Sequence, residues 1–119
     1  MKLDELIAAL ESAPHLVEFD DTLQVIEANY RYTPAGFRNG PLENAPGENA
    51  GSCRIFAFAK RHELSEAQTL HCFGRFYRHE VLDDPAGHGH RNIRQFMRTG
   101  WAGVVFASDP LQPVNRAGH

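Results

Sequence analysis

Cysteine is scarce in this 119-residue sequence. Cys53 and Cys72 are the two present. They are too few for a disulfide framework and are not spaced as a C-x-x-C pair, so a disulfide-stapled fold is excluded and a reducing setting fits best. Long apolar runs are missing as well. No stretch approaches the roughly 18 apolar residues of a membrane span, and Met1–Leu10 lacks the basic segment and apolar core of an export signal. Membrane contact is therefore not expected, and the expected location is cytoplasmic. Internal repeats and low-complexity tracts are also absent.

What is present is apolar enough to fold. Hydrophobic residues make up 42% and charged residues 23% of the chain, with eight Phe, three Tyr and one Trp, so global disorder is excluded and one core in one domain is the expected outcome. The net charge of −3 is unevenly spread: residues 1–50 carry three basic and nine acidic side chains, residues 51–119 nine and six. Arg75, Arg78, Arg91, Arg94 and Arg98 read as solvated helix faces. With no groove-reading motif, nucleic acid is not an expected partner.

Leu3, Leu6, Ile7 and Leu10 form a helical stripe stopped by Pro14, and Phe19, Leu23, Ile26 and Tyr30 form a second, opened by Asp20 and Asp21. Residues 31–51 break this pattern with Pro34, Gly36, Pro41, Pro46, Gly47 and Gly51. Within them Asn39-Gly40 suits a type I′ turn between Phe37-Arg38 and Leu42-Glu43, with Pro41 limiting its strand to an edge. The run Ile55–Ala59 is apolar on every face and predicts a central helix. Ser65 and Gln68 have the capping-box form and open a helix that buries Leu70, Phe73, Gly74, Tyr77 and Val81 before Pro85. Ile93, Phe96 and Met97 mark a last helix closed by Gly100, and Trp101–Phe106 reads as a strand that pairs with the hairpin. The fold expected is α+β and mainly α. About five helices surround a central apolar helix beside a small antiparallel sheet, with Trp101 and Tyr30 sealing the core; the alternative is an all-α domain. The domain spans 1–107, and 108–119 read as a flexible C-terminal tail.

Several long strings in this chain resemble the HopJ family of type III effectors: Asn49–Lys60, His90–Phe96, Thr99–Gly103, Phe19–Thr22 and Asn29–Pro34. Nearly the whole chain apart from the tail is covered. The resemblance implies a bacterial protein delivered through a type III secretion apparatus, with a host protein as partner where it is secreted. It brings no catalytic residues with it.

Four constellations bear on chemistry. Cys53 follows Gly51-Ser52 at the expected start of the central helix, where free backbone donors favour a thiolate. His90 is the best candidate base for it, with Asn92 as an orienting group and His88 or His79 as alternatives; this would make a cysteine-dependent hydrolase or transferase. A cysteine opening a buried helix is, however, more often a small core residue, and burial of Cys53 is the expectation. The Gly51-Ser52-Cys53 string with Phe56 also resembles the nucleophile region of papain-like cysteine proteases, but Ala50 and Arg54 depart from that pattern. Asn49, Gly51, Ser52 and Arg54 could hold a small anion at the helix start, or Asn49 or Ser52 could simply cap it. Among the many histidines, His88 and His90 are the nearest to a metal pair, but no ligand spacing supports a metal site and no cofactor is expected. A non-enzymatic interaction protein is preferred over an enzyme, because no constellation joins the needed residue types at a specific spacing. The sequence leaves the oligomeric state open.

Overall fold

The computed structural model describes residues 1–114. The chain runs α1 (Leu3–Ser12), a 3-10 turn (Pro14–Leu16), α2 (Phe19–Asn29), β1 (Tyr30–Tyr32), β2 (Phe37–Asn39), β3 (Leu42–Asn44), α3 (Ala50–Arg61) and α4 (Glu66–His71). A π-helix (Phe76–Val81), α5 (Arg91–Thr99), a 3-10 turn (Gly100–Gly103), β4 (Val104–Phe106) and β5 (Leu111–Pro113) follow. This is the α+β, mainly α architecture expected, and the two small antiparallel sheets exclude the all-α alternative. One sheet has the order β3-β2-β4, the other pairs β1 with β5.

The central helix is α3. Ile55, Phe56, Phe58 and Ala59 are wholly buried, because helices, strands and turns surround α3 on every side. Phe56 is the hub: its ring meets Phe37 of β2, Phe73, Phe96 of α5 and Trp101 at centroid distances of 5.0 to 6.5 Å. Burying a Phe of this kind is worth about 1.5–3 kcal/mol, so this cluster holds the two halves of the chain together. Leu6 and Leu10 of α1 and Val25 and Ile26 of α2 supply the other wall. Tyr30 is buried and Trp101 packs against the core half-buried, its indole N–H donating to the Leu64 carbonyl at 3.0 Å.

Helix ends follow local chemistry, with corrections. Ser65 and Gln68 form the expected reciprocal cap at 2.9 and 3.0 Å. The second helix starts at Phe19 rather than at the aspartates, and Asp21 accepts from the Glu18 N–H at 3.1 Å. The single helix expected from Ser65 to Pro85 is broken at Gly74, whose φ is +58°. A Cβ there would lie 2.6 Å from the Phe19 backbone nitrogen, so this close approach of two chain segments demands glycine. Beyond it the backbone resumes as the π-helix, in which the Leu82 N–H reaches the Tyr77 carbonyl.

Three further expectations change at the sheets. Asn39 pairs with Leu42, so Gly40-Pro41 are the turn's central residues. Gly40 has φ +58° and proline cannot, which excludes type I′ and relieves the strand of Pro41. Of the expected strand 101–106, Gly100–Gly103 is instead a 3-10 turn, held by the Trp101 N–H on the Glu66 carboxylate at 3.0 Å. Val104–Phe106 does pair with the hairpin strand β2. The tail expected from Ser108 instead contributes β5: Leu111 is 0% exposed, Tyr32 pairs with Leu111, and the Arg61 guanidinium holds the Leu111 carbonyl at 2.9 Å. The remainder of that expected tail, 115–119, lies outside the described residues.

Candidate functional site

The starts of α3 and α5 meet beside the hairpin, and between them lies an open groove of ≈ 770 Å³. Its walls are Asn49, Gly51 and Ser52 from α3, His90–Ile93 from α5, Leu42–Asn44 from the hairpin, and Phe19 and Phe76. Four asparagines tie the floor. Asn44 and Asn92 exchange amide hydrogen bonds at 3.0 and 3.3 Å. Asn39 donates to the Asn92 carbonyl at 2.9 Å and to its Oδ1 at 3.0 Å. Asn49 donates to Asn44 Oδ1 at 2.7 Å. Asn39, Asn44 and Asn92 are buried, so this neutral network joins two helix starts to two strands with no charge to desolvate.

Asn49 and His90, the residues before α3 and α5, both have left-handed backbones, with φ of 50° and 56°. Neither side chain caps its own helix. The Asn49 amide is drawn to Asn44, so the expected capping role is not played. The His90 Nε2 lies 2.8 Å from Glu80 Oε1, and its ring stacks on Phe76 at 5.1 Å. Phe76 and Glu80 come from the π-helix, so an irregular helix turn supplies an aromatic wall of the groove and, in Glu80, the partner that holds His90, a frequent use of such turns.

Cys53 does not face this groove. It is 1% exposed and its thiol donates to the Ala35 carbonyl at 3.7 Å, so the 35–36 segment covers it, whereas Trp101 sits over Phe56 and Phe96. Burial pushes the Cys53 thiol above its ordinary pKa, against smaller opposing effects of Tyr32, the Ala35 backbone and Arg54. The structure thus separates Cys53 from His90: the thiol is bonded to Ala35 and the imidazole to Glu80, while Asn92 bonds to asparagines and not to His90. Of the four anion candidates, Asn49, Gly51 and Ser52 line the groove. Arg54 points away, its guanidinium 4.4 Å from the Tyr32 ring and 4.0 Å from Glu27. His88 and His90 both line the groove, and among the described residues no three His, Cys, Asp or Glu side chains gather as metal ligands. Two groups were not anticipated. Glu80 lies ten residues before its histidine with no motif to link them, but the recurrence of Asn39, Asn44 and Asn49 every five residues was a visible signal.

A mainly α domain with two small antiparallel sheets and a polar groove between two helix starts is the class that fold and site define. The chain belongs to the HopJ family: a family model described as "HopJ type III effector protein" matches residues 3–111. A crystal structure of the "unknown function protein VPA0580" is similar at 48% identity, covering 96% of this chain and 95% of that one with a TM-score of 0.94. No curated protein matches. No helix among the described residues is long and apolar enough to cross a membrane.

Proposed function

We propose that this chain acts by binding rather than by catalysis, as an effector-type protein that engages a protein of the receiving cell through the groove between α3 and α5. The observation that carries this reading is the placement of Cys53. The one residue whose position suggested a nucleophile lies beneath the 35–36 segment with its thiol raised by burial, while the groove is walled by amides, a hydroxyl and rings together with the charged Glu43, Glu48 and Arg91. Its volume lies within the roughly 300–1,000 Å³ of recognition clefts. Membership of an effector family supports a host-protein partner and delivery through a type III system.

The test places a photo-crosslinking amino acid at position 52 of the intact chain inside host cells, identifies the captured protein, and measures its affinity with both partners purified. Ser52→Arg, which fills the groove, is expected to weaken binding at least tenfold, and Cys53→Ser to leave it within twofold. Loss of the cellular effect in a folded Cys53→Ser protein, with binding intact, would replace this reading with a cysteine-dependent activity.

A further inference from the structure

Arg78 stands in the middle of the π-helix with its side chain only 13% exposed, and it ties that helix to the segment before α2 and to α4. Its guanidinium donates to the carbonyls of Pro14, Val17 and His71 and lies 3.5 Å from the Glu18 carboxylate. It also reaches His71 Nδ1 at 3.2 Å. A guanidinium can only donate, so that contact requires an unprotonated Nδ1: His71 is held neutral, with its proton on Nε2. Phe76, on the same π-helix, lines the groove and stacks on His90, and Glu80 of that helix holds the His90 imidazole.

We propose that the Arg78–His71 contact is a proton-operated latch: a proton taken up at His71 Nδ1 removes the acceptor, sets an imidazolium against the guanidinium, and releases the π-helix that walls the groove. The groups facing His71 favour this direction. Burial opposes its charged form, and so do Arg78 on the π-helix and, after it, His15 on the 3-10 turn, so a proton taken up there works against the closed arrangement. Tyr77 meets its ring edge-on at 5.4 Å, and the Glu18 carboxylate is engaged with Arg78. Once Arg78 lets go, the segment keeps the side-chain pairs Arg75–Glu80 at 3.6 Å and His79–Asp83 at 3.6 Å, besides its backbone bonds, Glu80–His90 and the Arg94 guanidinium on the Glu80 and Asp84 carbonyls. The first two are exposed pairs of the kind that contribute little.

The experiment is NMR on the intact 15N-labelled chain. At pH 7.5 long-range imidazole spectra should show His71 protonated at Nε2. From pH 7.5 to 5 the protection of the Arg78 and Leu82 amides, corrected for intrinsic exchange, should fall about tenfold in step with the His71 shifts, as expected for a local opening. His71→Gln keeps an acceptor that cannot be protonated, and should lose less than twofold with His79, His90 and Glu80 all in place. Finding Nδ1 protonated, or the same fall in His71→Gln, would overturn the latch. Should that variant fail to fold, the wild-type titration decides alone, because protection that stays flat while His71 titrates also overturns it.

Discussion

At Cys53 two effects pull the thiol in opposite directions. The free N–H groups at the start of α3 stabilise a thiolate, whereas removal from water opposes it. Burial prevails and the pKa rises. The Cys72 thiol is pushed up to about 12 by its removal from water, which a hydrogen bond with the Thr22 side chain offsets only in part. Iodoacetamide at neutral pH should therefore label folded Cys53 more slowly than a free thiol, with a rate that climbs as pH passes the ordinary thiol range, and Cys72 more slowly still, as followed by mass spectrometry. Rapid Cys53 labelling that persists unchanged to about pH 6, well below the pKa near 8.5 of a free thiol, would contradict this. Burial of Cys53 was legible because Ile55, Phe56 and Phe58 follow it on a helix apolar all round. The roles of Asn92 and His90 were not, since their partners Asn39, Asn44 and Glu80 come from other elements, and sequence neighbourhood says nothing of such contacts.

Among the elements, those built from local periodicity were the legible ones: α1, α2, the central α3 and the Ser65 cap all rest on contacts within a few residues. The break at Gly74 was not, because its cause is the backbone of Phe19 more than fifty positions earlier. β5 was hidden for the same reason. Its three residues lie between Pro110 and Val114, and its partner strand begins at Tyr30. If β5 belongs to the fold, Leu111→Ala should cost about 2–4 kcal/mol, the ordinary range for a buried leucine, read as a lowered urea midpoint at unchanged slope. A loss below about 0.5 kcal/mol, typical of surface positions, would restore the reading of a loose tail from Ser108.

Over the whole molecule, the basic excess of residues 51–119 proves to be spent largely inside the chain. Arg61 holds Leu111 and Asp109, Arg78 holds the carbonyls of Pro14, Val17 and His71, and Arg94 donates to the carbonyls of Gly89, Asp84 and Glu80. The expectation of solvated arginine faces therefore fails at Arg78 and Arg94, because side chains long enough to reach irregular backbone satisfy its carbonyls. Keeping cations inside has a consequence for pH. His62 and His71 are both lowered from their ordinary pKa, first by burial and then by Arg61 and Arg78 respectively, with His15 adding to the effect at His71. His62 Nε2 also meets the Tyr30 hydroxyl at 2.7 Å. Below the unfolded-state value of about 6.5 the unfolded chain then binds more protons than the folded one, so the stability present above that pH is lost as pH falls toward the lowered folded values. The urea midpoint should accordingly drop between pH 7.5 and 5, a window above the range where carboxylates titrate. The drop should be smaller in His62→Gln, and smaller again when His71→Gln is added. A midpoint that holds or rises across that window, or one that falls equally in the wild type and the double variant, would place the acid sensitivity elsewhere in the molecule.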